Sequence, residues 1–312
     1  MTIIRAARGD ELPGLVRHPG DPGRDEAAGA YLADMLAKKC TRPQWCLVAE
    51  DDDGRLRGSV VLWTFPGDER PRDLVLLDAP WDEPGLATGE DLVRAAAGLA
   101  RSLGVAELGH ALDSPVQAPQ FQDHPRERAA LLRRCGFRQV RDGLRFRRAP
   151  DAGLPTQDER LTLRPLPELG RAPFVGLLTE LLADTADLRL AADVARHGPR
   201  GAAELLFTDM EGYDHEPGWW ELGFTPDGTA AAISLPARNP VFPVIGFVGV
   251  APAQRGKGYA TAMVARGTRV LVENGAGEIR GDCDAANLAM AKGFERAGYE
   301  NFASRLEFTA RL

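Results

Sequence analysis

The sequence predicts an α/β fold laid down twice in tandem, and three observations carry that prediction. The chain has 312 residues, against about 150 for an ordinary domain. One order of strand and helix patterns runs through each half, and the halves are separated at residues 149–160 by a polar stretch with two prolines and no periodicity. Both halves also leave a helix through Gly followed by an aromatic residue, in "LLRRCGFRQV" and "GFERAGYENF". The chain therefore divides into a first domain at 1–148, a linker at 149–160 and a second domain at 161–312.

The first copy opens with a strand, "TIIRAA", and a helix from Arg24 to Lys39 whose Ala27, Tyr31, Leu32, Met35 and Leu36 share one face. "WCLVAE" and "GSVVLW" flank "DDDGRLR", whose Asp-Gly step marks a hairpin, and the extended run "RDLVLLDAP" follows. Next come an amphipathic helix at Glu90 to Leu103, an extended stretch at Val105 to Leu112, a helix at Arg126 to Arg134, and a last strand reaching Phe146. The second copy repeats the order. "LTLRPL" opens it, helices run from Phe174 to Leu182 and from Ala191 to Phe207, and "GWWELGF" with "TAAAISLPA" forms a hairpin. "PVIGFVGVAP" leads into a helix from Tyr259 to Asn274, and the strand "EIRGDCD", a helix at Ala286 to Ala297 and the strand "FASRLEFTA" complete the copy.

Composition excludes several classes of function. Apolar residues make up 44% and charged residues 27%, with no apolar run long enough to cross a bilayer, so a soluble globular protein is expected. The opening residues have a strand pattern where a secretory signal would have a basic segment and an apolar core, and a cytoplasmic location is expected. Acidic residues outnumber basic ones, 45 to 38, and a net charge of −7 disfavours nucleic acid as a partner. Cys40, Cys46, Cys135 and Cys283 lack metal-ligand spacing, and the five histidines are scattered, so no metal is expected.

The stretch "GFVGVAPAQRGKGYATAM" (246–263) carries the chemistry. A Walker A loop needs Ser or Thr after Gly-Lys and Gly five positions earlier, but Gly258 follows Lys257 and position 251 is Ala. A dinucleotide fingerprint would begin at Gly256 and Gly258, yet Thr261 stands third and the loop comes late in its domain. The pattern [RQ]-x-x-G-x-[GA] is met in full by Arg255-Gly256-Lys257-Gly258-Tyr259-Ala260. Glycines there let backbone approach a diphosphate closely, and amides at a helix N-terminus point at it with the helix dipole behind them. On that pattern alone, a tight strand-to-helix turn accounts for the glycines equally well.

With Val250-Ala251-Pro252 before it, the segment resembles motif A of the GNAT superfamily of N-acetyltransferases. Asp282-x-Asp284-x-x-Asn287-x-x-Met290-x-x-x-Phe294-x-x-x-Gly298-Tyr299 resembles motif B of the same family, although Met290 is larger than the usual residue. The resemblance covers residues 161–312 well. In the first copy the corresponding segment, "APWDEPGLATGEDL", lacks the Arg/Gln and the Gly pair, and Asp82 and Glu83 would repel a diphosphate. That half is read as a degenerate copy, suited to packing, shaping the acceptor cleft or forming a homodimer.

The resemblance implies tandem domains, each a mixed, mostly antiparallel sheet flanked by helices, with acetyl-CoA as co-substrate of the second. It implies that Val248, Gly249 and Val250 line the pantetheine, that Arg255, Gly256, Lys257, Gly258, Tyr259, Ala260 and Thr261 hold the diphosphate, and that Asn287 and Phe294 contact the CoA arm. Phe294 stands where the family often has a tyrosine that protonates the leaving thiolate, and the strand before motif A lacks a glutamate base. Glu221, acting through water, and Asp282 or Asp284 at the end of the next strand are the remaining candidates for acid–base work, and for each a structural role is the competing reading. The acidic and aromatic stretch "TDMEGYDHEPGWW" suits either an ammonium acceptor or a solvated turn. Two functions stand: N-acetyl transfer to a primary amine of a small molecule or peptide by direct attack in a ternary complex, and catalytically silent acyl-CoA binding.

Overall fold

The computed structural model describes residues 2–185, 187–239 and 241–312. Strands and helices alternate as the sequence predicts: β1 (Ile3–Ala6), α1 (Pro22–Ala37), β2 (Cys46–Glu50), β3 (Leu56–Trp63), β4 (Asp73–Asp78), α2 (Glu83–Ser102), β5 (Glu107–Ser114), α3 (Pro125–Arg134) and β6 (Arg138–Arg148). After the linker come β7 (Thr162–Pro165), α4 (Leu166–Leu169), α5 (Arg171–Ala183), α6 (Leu188–Glu211), β8 (Glu221–Phe224), β9 (Ala230–Arg238) and β10 (Pro243–Val250). Then α7 (Tyr259–Glu273), β11 (Ile279–Asp284), α8 (Leu288–Arg296) and β12 (Glu300–Arg311) complete the chain.

Two compact units form, one of residues through Val140 together with Arg305–Leu312, the other of Arg141–Ser304. These bounds differ from the expected 1–148 and 161–312. The second unit takes most of β6 as a strand of its own, pairing Leu144 with Cys283 and Arg148 with Ile279, while the first unit is completed by the end of β12. Phe308 and Ala310 are buried in the first unit's core, and Phe146 is buried in the second's. Alternation in "FRQVRDGLRF" announces a half-buried strand, but the strand it pairs with is a long-range matter that periodicity does not encode.

In the first unit the sheet order is β1-β2-β3-β4-β5 and then β12. Its central strands alternate between two cores: Val48, Val61 and Val75 face Leu32 and Met35 of α1, while Leu47, Val60, Leu62 and Leu74 face Leu92, Val93 and Leu132 of α2 and α3. Helix α2 begins seven residues before the expected Glu90, because the Asp82 side chain accepts the Gly85 amide at 2.8 Å and Leu86 joins the core. In the second unit the order is β6-β11-β10-β9-β8-β7. Helix α6 exceeds its expected range and is two helices joined at Gly198, which adopts φ 71° just before Pro199.

One pair of neighbouring strands in each unit is parallel, and both pairs diverge. Strand β4 meets β5 only at Asp73↔Gly109 and Leu74↔His110, and β10 meets β11 only at Val244↔Arg280. Every other pairing with a resolved register is antiparallel, so each sheet is mixed and mostly antiparallel.

Candidate functional site

The site begins with the edge that this divergence leaves along β10. Ala251 donates its amide to Ala231, on the β9 side. Alternation then places the Gly249 amide on the same side, and the amides of Val248 and Val250 on the opposite edge, beyond the single pairing with β11. The register breaks between Ile245 and Phe247, so Gly246 forms a bulge. Because of the extra residue, Ile245 and Val248 both face α7, while Gly246 lies against Met210 of α6. A Cβ at Gly246 would sit 2.3 Å from the Met210 methyl and 2.8 Å from the Leu235 carbonyl oxygen, a backbone atom that cannot swing away, so glycine is required. The side chains of Val248 and Val250 are half-buried against the cluster of Leu161, Tyr259 and Met263.

At the C-terminal end of β10 the chain turns through Pro252–Gln254 into α7. Gly256 and Gly258 adopt φ 78° and 85°, which L side chains resist, and a Cβ on Gly256 would meet nothing within 4 Å. Gly258 is the N-cap of α7, and among the described residues no side chain caps this end of the helix. The first amides of a fifteen-residue helix therefore carry the positive end of its dipole without a side-chain cap among the described residues. Arg255, Gly256, Lys257 and Gly258 are exposed, Ala260 and Thr261 are half-buried, and Tyr259 is buried. Exposed cations, free helix amides and glycine backbone with open space beside it fit the diphosphate of an acyl-CoA.

Other expected site residues are placed differently. Glu221 is 6% exposed, and both its oxygens are held by Arg266 of α7, at 2.6 and 2.9 Å. That carboxylate holds the Arg266 guanidinium above its usual value, chiefly through the hydrogen bonds. Glu221 thus ties β8 to α7, the structural role that competes with its candidacy as a base. Asp284 accepts the Ala286 amide at 2.8 Å and shapes the turn after β11; its other oxygen is buried without a partner among the described residues. Asn287 caps α8 by accepting the Met290 amide at 3.1 Å. Phe294, expected to touch the CoA arm, is 2% exposed and stacks on Phe146 with ring centroids 4.9 Å apart. Its ring lies over Gly281, where a Cβ would approach to 2.5 Å, so Phe294 belongs to the core beneath β11.

Burial pushes the Cys283 thiol up to about 12, with Asp282 adding to the effect, so it is no thiolate nucleophile near neutral pH. The stretch 208–220 resolves into structure: Trp220 is fully buried and donates to the Pro236 carbonyl at 3.1 Å, Trp219 is buried, and Glu211 pairs with Arg171. Asp209, Asp214 and Glu216 face solvent. Among the described residues no His, Cys, Asp and Glu side chains are grouped to hold a metal, and no helix is long and apolar enough to cross a membrane.

The structure adds residues that sequence reasoning missed. Arg160, assigned to the linker, donates to the Lys257 carbonyl at 2.9 Å, lies 5.2 Å from the Tyr259 ring and pairs with Asp158. It therefore braces the loop and adds a third cation to it. Asp184, just past α5, pairs with Arg255 at 2.9 Å. No local signal points to either residue, since the fold must first bring positions 97 and 71 residues apart together.

The family model described as Acetyltransferase (GNAT) family matches residues 191–299. A GCN5-related N-acetyltransferase from Sphaerobacter thermophilus has a similar structure, with a TM-score of 0.64 at 18% identity over 99% of this chain and 95% of that one. A tandem GNAT protein from the clavulanic acid biosynthesis pathway gives 0.53 at 18% identity over 100% and 98%. A GCN5-related N-acetyltransferase from Kribbella flavida gives 0.50 at 15% identity over 91% and 93%. No curated protein matches the chain. At these identities the structural likeness establishes the fold, and the family match falls on the unit that carries the open strand edge and the glycine loop. Residues 191–299 thus match the acetyltransferase (GNAT) family model, within a chain that has the tandem GNAT fold.

Proposed function

We propose that the second unit is an acetyl-CoA-dependent N-acetyltransferase that acts on a primary amine by direct attack within a ternary complex. One observation carries the reading: the open edge of β10 leads without a break into an uncapped, glycine-built, basic helix start. The residues that would hold the co-substrate are Val248 to Val250 along the strand and Arg255 to Thr261 at the diphosphate, with Asn287 at the N-cap of α8. The chemistry is transfer of the acetyl group from the thioester sulfur to the acceptor nitrogen. Backbone amides at the edge and bulge of β10 donate hydrogen bonds to the developing oxyanion, a role that needs no side chain. Since Glu221 is bound to Arg266 and Phe294 has no proton to give, the chain contributes positioning and electrostatics above all. A thiol with an ordinary pKa of about 8.5 leaves as a fairly stable anion, so a general acid is helpful without being obligatory. We further propose a small-molecule or peptide amine as acceptor, no nucleic acid or membrane partner, and action in the cytoplasm.

The test is thiol release from acetyl-CoA over a panel of primary amines, beside an Arg255→Glu, Gly258→Asp variant. Acceptor-dependent release that the variant loses is the expected result. Tight CoA binding without release for any amine would instead identify a silent acyl-CoA binder.

A further inference from the structure

We infer that the first unit binds no acyl-CoA, because its own side chains occupy the positions that the second unit leaves open, and that the whole chain takes up one equivalent. The inference rests on the proposed function of the second unit.

The two units pose the same problem at their diverging parallel strands: backbone groups on the inner edge lose their strand partner and need another. Along β10 the bulge falls at an exposed glycine, Gly246. Along β4 the irregularity falls beside Leu76, held at φ 47° in the left-handed region that a leucine resists. The Leu76 amide is not left open, since Gln120 Oε1 accepts it at 3.1 Å. Its neighbour Leu77 has its carbonyl taken by Arg128 Nη1.

On the β5 side, Gln122 accepts the Asp113 amide at 3.1 Å and donates to the Ala111 carbonyl at 2.7 Å. The segment from 115 to 124 thus fills the gap between the strands with amide side chains, which satisfy backbone groups as a bound amide chain would. Several anchors hold it there. Arg128, only 3% exposed, donates from Nε to the Asp123 carbonyl at 2.5 Å and lies 4.2 Å from the Trp81 ring. Arg24 of α1 pairs with Asp123 at 3.0 Å, and Phe121 packs edge-on against His18.

The helix that follows the strand differs in the same sense. Where α7 starts at a bare glycine, α2 starts at Asp82, whose carboxylate caps the Gly85 amide at 2.8 Å. An anion already sits at the helix end, and it would repel a diphosphate. Close packing seals the turn: a Cβ at Gly85 would lie 2.5 Å from both Asp82 Oδ1 and the Pro80 carbonyl oxygen. Both halves of an acyl-CoA site, the strand edge and the phosphate cradle, are therefore filled from within this unit.

Isothermal titration of CoA into the full-length protein tests the stoichiometry. One equivalent per chain is expected, falling to none in the folded Arg255→Glu, Gly258→Asp variant. Two equivalents in the wild type with one surviving in the variant would overturn the inference and leave the second unit's function standing; one equivalent in both would overturn the inference and the proposed function together. No binding by the wild type would overturn the stoichiometry together with the proposed function. Hydrogen exchange supplies a readout that needs no variant: CoA should protect amides in 246–262 and leave those at 74–78 and 83–87 unchanged. Protection at the latter would equally overturn the inference.

Discussion

Replacing Glu221 separates a structural carboxylate from a catalytic one. Its two oxygens bind Arg266 at 2.6 and 2.9 Å, and the side chains are 7% and 23% exposed. Removing one partner of a buried pair leaves the other charge uncompensated, at a cost of about 3–5 kcal/mol. Since Arg266 reaches solvent in part, the low end applies, and Glu221→Ala should cost about 3 kcal/mol. A unit of this size loses roughly 2–4 °C of Tm per kcal/mol, so its transition should fall by about 6–12 °C. Glu221→Gln keeps the shape and one hydrogen bond to a charged donor, and about half that loss is expected. The assay pairs thermal unfolding by circular dichroism with kcat measured well below the transition. Both variants should unfold earlier while keeping kcat within a few-fold of wild type and an unchanged pH–rate profile. A Glu221→Gln protein with unaltered Tm, a hundredfold lower kcat and a missing ionisation would refute the structural assignment and make Glu221 the base.

Gly281→Ala would place a Cβ 2.5 Å from the Phe294 ring, so a loss of about 1–3 kcal/mol is expected in denaturant unfolding, with Phe294→Leu relieving part of it in a double-variant cycle. Additive losses would show that the two sites do not touch. His110, fully buried, has its pKa lowered to about 4, first by burial and then, against the hydrogen bond from its ring to the Leu74 carbonyl, by the charges of Arg128 and Arg305. Its folded value lies below its unfolded value of 6.5, so the unfolded chain binds the extra proton between them. The first unit should therefore lose stability as pH falls from 6.5 to 4, by something on the order of 2–3 kcal/mol, and change little from this group below that. A His110→Gln variant should show a flatter Tm–pH curve over that window; an identical curve would assign the slope to other groups.

Much of this molecule was legible in its sequence, for reasons of range. The glycine-rich loop is six contiguous residues whose glycines, charges and following helix act on one another locally, so the pattern Arg255 to Ala260 carries its own geometry. Period-2 and period-3.6 patterns likewise announce each strand and helix, because the faces of "WCLVAE" and "RDEAAGAYLADMLAKK" are set by backbone repeat alone. The start of α2 lies at Glu83 and not at Glu90 because the Asp82 cap and the burial of Leu86 are contacts that helical periodicity does not encode.

The rest depends on residues that only folding brings together. Glu221 reads as a candidate base until Arg266, 45 residues on, is found holding both its oxygens. Phe294 reads as a cofactor contact until Gly281 and Phe146 enclose it, and Arg160 reads as linker until it reaches the carbonyl of Lys257. The end of β12 completes the first unit and most of β6 belongs to the second, because strand pairing is decided by long-range hydrogen bonding and burial, to which periodicity is blind. The same holds for the divergence of β10 from β11 and for Gln120 filling the matching gap in the first unit. Sequence alone determined that one half carries a glycine-rich, basic strand-to-helix loop and the other does not; tertiary packing decided which strand edges are open and which are already filled.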